Sequence, residues 1–217
     1  MTTPSPNLPE QDVRATCLRA AACAPALART SGQQRRTMLL SLADQVMRPD
    51  TRAAVLKANA GDLEAARAEG MTDSLLDRLR LDEARLQALA EAVRTVATLP
   101  DPLGEIVRGW RRPDGLELSQ VRVPLGVVGF IYEARPNVTL DAAALCLMSG
   151  NALVLRGSAS ALATNRELVA AIRRTLHDLG HPEDFVCLID RPEREAAAAL
   201  MRQTGIVDVL IPRGGAD

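Results

Sequence analysis

At 217 residues, with 26 Lys and Arg against 27 Asp and Glu and a formal net charge of -1, the chain has room for one or two domains at roughly 150 residues each and no charge bias toward nucleic acid or an acidic partner. A composition 47% hydrophobic and 24% charged is that of a soluble globular protein and argues against disorder. Four aromatic residues, Trp110, Phe130, Tyr132 and Phe185, leave almost nothing for the base stacking that single-stranded nucleic-acid binders use.

The polar opening MTTPSPNLPEQD lacks the basic and apolar stretches of a signal peptide. No apolar run approaches the roughly 20 residues of a membrane helix. Cys17, Cys23, Cys146 and Cys187 form no CxxC pair. These features lead us to expect a reduced, cytoplasmic protein with neither a membrane nor a nucleic-acid partner.

From Leu8 to about Leu99 apolar residues return every three or four positions, the helical period, and predict about four helices. Ser31, Asp50 with Thr51, Thr72, and Asp82 with Glu83 stand where caps belong. The charges here, such as Arg14, Arg35 and Glu64, read as solvated helix faces. LPDPLG at 99–104 is a break, and WRRPDGLELSQVRVPLG alternates around Pro113-Asp114-Gly115, the signal of a hairpin. A two-stranded ribbon alone is marginally stable, so it should dock on this fold or on a neighbouring subunit.

Beyond it the runs LGVVGFIYE, NALVLR, FVCLID and VDVLIP alternate with VTLDAAALCLMSG, ASALATNRELVAAIRRTLHDLG and PEREAAAALMRQTG. Continuous apolar strands separated by helices predict a doubly wound α/β unit with a parallel sheet. The expected organisation is a helical region at 1–100, a hairpin at 101–124 with a possible oligomer contact, and a Rossmann-like sheet at 125–217.

In open α/β sheets ligands bind beyond the carboxyl ends of the strands. Those tips carry Tyr132-Glu133-Ala134-Arg135-Pro136-Asn137, Arg156-Gly157-Ser158, Asp190-Arg191-Pro192 and Pro212-Arg213-Gly214-Gly215. An arginine at each of four tips suggests an anion-binding edge suited to phosphate, against the plainer reading that each solvates the sheet margin. Neither GxGxxG nor a Walker-type GK[ST] occurs.

His177 and His181 stand at a metal-pair spacing, but Gly180 and Pro182 interrupt the helix, so no metal site is expected. Cys146 lies roughly 12 Å along its helix from the N-terminus, beyond the reach of the dipole, and reads as a buried, inert thiol. Cys187 lies in an apolar strand, and Cys17 and Cys23 lie on the first helix; none is an attractive nucleophile. Asn137, read locally, is a helix cap.

The segments VRVPLGVVGFIYEARPNVTLDAAALCLMSGNALVLRG at 121–157 and VDVLIPRGGAD at 207–217 resemble gamma-glutamyl phosphate reductases (glutamate-5-semialdehyde dehydrogenases), of the aldehyde dehydrogenase superfamily. LLDRLRLDEARLQALAEAVRTVATLPDPLGE resembles the helical region of that family, and the likeness covers about its first half. It implies an aldehyde-dehydrogenase-like α/β fold, with a helical region before a Rossmann-like parallel sheet. The implied activity is NADPH-dependent reduction of L-glutamyl 5-phosphate to L-glutamate 5-semialdehyde and phosphate in proline biosynthesis.

In that family a cysteine thiolate displaces phosphate to give a thioester, and hydride transfer releases the aldehyde. The thiol motif lies in the half that these residues do not include, so the 217-residue chain is expected to bind cofactor without turnover. By the same resemblance Asn137 is an oxyanion donor, contributing about 3 kcal/mol. Arg156, with Gly157 and Ser158, falls near the adenosine ribose, where a cation favours the 2'-phosphate of NADP(H). Pro212, Arg213, Gly214 and Gly215 fall near the pyrophosphate. RGSASA at 156–161 departs from the usual RGG followed by Lys or Ser and then Glu, which implies weaker cofactor contacts. A homo-oligomer is expected. A noncatalytic NADP-binding or assembly module is the competing reading. An acylating aldehyde dehydrogenase with another acyl donor would share the fold but not account for IYEARPN and IPRGGA.

Overall fold

Apolar spacing in the first hundred residues produces helices that cover a sheet, and the computed structural model, which describes residues 8–214, shows five of them. They are α1 (Leu8–Ala28), α2 (Gly32–Met47), α3 (Pro49–Ala68), α4 (Asp73–Leu79) and α5 (Glu83–Thr98). The N-terminal polar tract at 1–7 and Gly215 lie outside the described residues. Ser31 closes a capping box with Gln34, and Asp82 accepts from the Arg85 N–H, each satisfying donors that a helix start leaves open.

One capping expectation needs correction. α3 begins at Pro49, whose missing N–H costs nothing at the first helical position. Asp50 and Thr51 therefore lie inside its first turn, where the Thr51 N–H holds the Asp50 carboxyl below its ordinary range. Thr72 is the N-cap of α4 as expected, although its side chain makes no cap bond.

The hairpin forms as expected, β1 (Ile106–Arg111) pairing antiparallel with β2 (Glu117–Val121). Within this chain it does not dock on the fold: every residue of β1 is exposed, and Trp110 finds its stacking partner within the ribbon, the Arg108 guanidinium, 5.4 Å from the ring centroid.

The remaining elements alternate as β3 (Val127–Tyr132), α6 (Asn137–Met148), β4 (Ala152–Arg156), α7 (Leu162–Asp178), β5 (Val186–Leu188), α8 (Arg194–Met201) and β6 (Val209–Arg213). The sheet order is β5-β4-β3-β6, all parallel. Gly150 and Gly180 end α6 and α7 at φ 73° and 74°, a left-handed C-terminal position that glycine alone takes without a Cβ penalty.

β4 is buried along its whole length. Leu153 and Leu155 belong to a core with α2, α5, α6 and α7, whereas Ala152 and Val154 belong to a second core with α1 and α8. This alternation, one residue to each face, is the period-two geometry of a strand covered on both sides.

Buried polar groups tie the helical half to the sheet. Asn59 of α3 donates to the Leu79 carbonyl at 2.9 Å and to Thr164 Oγ1 of α7 at 3.2 Å, and accepts from the Leu81 N–H at 2.7 Å. Arg35 is a correction to the solvated-face reading: only 2% exposed, it donates to the Met148 and Thr30 carbonyls and to both Asp101 oxygens, at 2.8 and 2.6 Å. Arg14 and Glu64 are exposed as expected.

Candidate functional site

Parallel strands bring the tips of β3, β4 and β6 to one margin, and beneath it lies a buried polar network in which Asn165 Nδ2 alone is unpaired. The Tyr132 hydroxyl meets Thr139 Oγ1 at 2.7 Å, and Thr139 Oγ1 meets Asn165 Oδ1 at 2.8 Å. Burial raises the Tyr132 phenol well above its ordinary value, so it stays neutral and serves structure. Gly157 passes directly over this network: a Cβ there would stand 2.3 Å from Asn165 Nδ2 and 2.9 Å from Tyr132 Cζ. That glycine is required by the protein's own packing.

Pro136 precedes α6, so Asn137 is the first residue of the helix, not its cap. Its Nδ2 donates to Asp141 Oδ2 at 3.2 Å. An ionised carboxylate only accepts, so this contact fixes which end of the amide carries the N–H groups and leaves the second N–H available. Burial pushes the Asp141 carboxyl up, opposed by the Asn137 bond and by the positive charge of Arg213.

Two cavities lie at this margin, of which only the first is lined by the Asn137–Asp141 pair. One, about 460 Å³, has Asn137, Asp141 and Arg135 on one wall and Arg78, Arg80 and α5 on the other. The second, about 730 Å³, is bordered by Glu133, Ser158, Ser160, Arg213 and Gly214. Arg78 and Arg135 line both, so the two spaces share a wall at the head of α6.

The four tip arginines therefore separate. Arg135 and Arg213 face these spaces. Arg191 is paired with Asp12 of α1. Arg156 is buried and donates to the Pro192 and Glu193 carbonyls at 3.2 and 3.0 Å, with its Nε–H unpaired. Desolvation, and then the neighbouring Arg194, lower the Arg156 pKa.

For a phosphorylated nucleotide, the second cavity offers the Ser158 and Ser160 hydroxyls, already 2.8 Å apart, and the exposed Arg213. Gly214 has no side chain to compete for the space beside Glu133, where a Cβ would come within 3.1 Å of Oε1. These groups fit an anionic ligand. Arg156 does not line this cavity: it is buried, with Nη2 held by the Pro192 and Glu193 carbonyls. Pro212 pairs with Ile131 within the sheet and sets the backbone that leads to Arg213.

The thiols are unsuited to attack: burial pushes Cys17 up to about 11 and Cys146 and Cys187 up to about 12. Asp141 was missed from sequence, although its place four residues after Asn137 puts both on one helix face. The Arg78 and Arg80 wall was missed because exposed helix arginines carry no local sign of a cavity.

The sequence pattern of the aldehyde dehydrogenase family matches residues 3–211. The chain belongs to the aldehyde dehydrogenase family. Within it, the chain is 50% identical over 207 residues to a gamma-glutamyl phosphate reductase of Thermobifida fusca, covering 95% of this chain and 49% of that protein. It spans about half the length of the curated relatives it matches. The crystal structure of the gamma-glutamyl phosphate reductase of Thermotoga maritima superposes with a TM-score of 0.90 at 35% identity, over 94% of this chain and 49% of that one. An engineered glycolyl-CoA reductase with bound NADP+ shares the fold, with a TM-score of 0.68 at 21% identity over 94% of this chain and 42% of that one. The aldehyde dehydrogenase fold thus accounts for the helical cover and for the parallel sheet.

Proposed function

We propose that these residues are the cofactor-binding half of a cytoplasmic, NADPH-dependent reductase that converts L-glutamyl 5-phosphate to L-glutamate 5-semialdehyde and phosphate in proline biosynthesis. The observation that carries this reading is the Asn137 amide. Its bond to Asp141 holds the nitrogen end of the amide in place and leaves one N–H uncommitted at the head of α6, on the wall of the first cavity. Half-length identity to gamma-glutamyl phosphate reductases supports the choice of substrate.

Bound NADPH would supply the hydride. Ser158, Arg213 and Gly214, continuing into Gly215, are the groups proposed against its phosphates. Arg156 and Gly157 support that margin from beneath. The free N–H of Asn137, aided by the N-terminal dipole of α6, stabilises oxygen as it becomes negative during reduction of the acyl group. A homo-oligomer is supported by the hairpin, which leaves Ile106, Val107 and Trp110 uncovered.

Titration of the chain with NADPH tests the reading. Saturable binding is expected, tighter for NADPH than for NADH and unchanged within about two-fold by Asn137→Ala, with no turnover of pyrroline-5-carboxylate, NADP+ and phosphate. Absence of saturable binding would replace the reading with a noncatalytic assembly module. Turnover that survives removal of all four cysteines would remove the thiol mechanism.

A further inference from the structure

The cavity between α4, α5 and the head of α6 differs chemically from the serine-lined space beside it. Arg85 is already satisfied there, donating to Asp77 Oδ1 at 2.7 Å and to the Arg80 carbonyl at 3.0 Å. Arg78, Arg80 and Arg135 have no side-chain hydrogen bond or ion pair among the described residues. Facing Arg78 and Arg80, on the wall that Arg135 also lines, is one half-buried carboxylate, Asp141, which accepts from Asn137 and has no salt bridge among the described residues. Ala88, Leu89 and Ala92 of α5 complete the wall with apolar surface.

This arrangement is electrostatically incomplete. A carboxylate beside an oxyanion donor opposes the anion that the donor should stabilise, unless a cation neutralises it. Arg213 acts on Asp141 only at a distance. On the other wall, the unpaired guanidinium groups of Arg78 and Arg80 stand beside an apolar surface whose one carboxylate, Asp77, is already taken by Arg85. A ligand bearing one ammonium and one carboxylate on a short aliphatic chain answers both deficits.

We propose that this cavity is the subsite for the α-amino-acid end of the substrate. Asp141 accepts from the α-ammonium, Arg78, Arg80 and Arg135 take the α-carboxylate, and the methylenes lie on Ala88, Leu89 and Ala92. The proposal rests on the reductase reading above and assigns the end of the substrate remote from the reacting carbonyl. Four covalent bonds separate the α-nitrogen from that carbonyl carbon, about 5 Å when extended. A ligand can therefore reach Asp141 and Asn137, which touch each other, at the same time. The site would discriminate against an acyl substrate without an amine, because Asp141 would be left partly buried and unpaired.

The test is a titration of the chain with L-glutamate, which carries the same α-ammonium and α-carboxylate, followed by backbone amide NMR shifts, with NADPH titrated separately. Shifts are expected at Asn137, Asp141 and the α5 wall, with glutarate, which lacks the amine, binding at least ten-fold more weakly. Asp141→Asn should weaken L-glutamate at least ten-fold while leaving NADPH affinity within two-fold. Because burial penalises the charged carboxylate, this variant should unfold no earlier in urea than the parent. Ala88→Leu, a change at an exposed helix position, should obstruct L-glutamate in the same way. Equal affinity for L-glutamate and glutarate, no saturable L-glutamate binding, or no effect of either substitution overturns the proposal. Failure of NADPH to bind overturns the reading beneath it, and each result can be observed without the other.

Discussion

Replacing Gly157 with alanine separates a glycine kept for a phosphate from one kept for packing. The new Cβ would meet Asn165 Nδ2 at 2.3 Å and Tyr132 Cζ at 2.9 Å, and Asn165 and Tyr132 are the two ends of the network closed by Thr139. Overpacking of this kind costs roughly 1–3 kcal/mol, and disturbing two buried hydrogen bonds adds about 1 kcal/mol each. The backbone at Gly157 is not in the left-handed region, so alanine also restricts the unfolded chain and returns about 0.4–1 kcal/mol. The expected net loss is about 2–4.5 kcal/mol. Urea unfolding followed by far-ultraviolet circular dichroism measures it; fluorescence would follow Trp110, which reports on the ribbon. A Gly157→Ala protein with an unchanged midpoint and no NADPH binding would refute the packing argument and return this glycine to the cofactor.

Arg35→Ala should cost roughly 3–5 kcal/mol in the same urea assay, because it leaves two carbonyls without their donor and part-buried Asp101 with only the Leu103 N–H; a loss under about 1 kcal/mol would show that water replaces it. Burial raises the Asp184 carboxyl, but the hydrogen bond and charge of Arg173 outweigh it and hold the carboxyl below the ordinary range. Its stabilisation is therefore present above the unfolded pKa and lost as pH falls through the lower folded one. Arg173→Ala should move the acid-unfolding midpoint to higher pH, and a midpoint that stays or falls would count against the pairing. Iodoacetamide at neutral pH should modify Cys23 before any other thiol in the folded chain, since Cys17, Cys146 and Cys187 are buried and Cys23 only partly so. Peptide mass mapping in which Cys146 is modified first would contradict its burial.

The parallel sheet was legible because NALVLR and LGVVGFIYE are apolar without alternation, which only a doubly covered strand requires. The hairpin was legible because Pro-Asp-Gly prescribes its turn. Arg35 was not: its helix reads as amphipathic, and the groups that bury it lie 113 and 66 residues away, at Met148 and Asp101. Sequence placed the strand tips but not their orientation. Arg156 and Arg191 look like Arg135 and Arg213 as letters, yet the first two are consumed by carbonyls of the loop before α8 and by Asp12. The pairing of Asn137 with Asp141 was within reach of helix periodicity, whereas the opposing wall required knowing that α4 and α5 pack across from α6.

β6 forms one margin of the four-stranded sheet, with its outer side unmatched among the described residues and its burial falling toward Arg213. An unmatched margin is a template for another extended chain, and Pro212, which has no N–H, interrupts it at one rung. At high concentration, isolated copies would tend to add to one another along Val209–Arg213, so a strand supplied there, by the same polypeptide or by a second copy, would govern solubility as well as architecture.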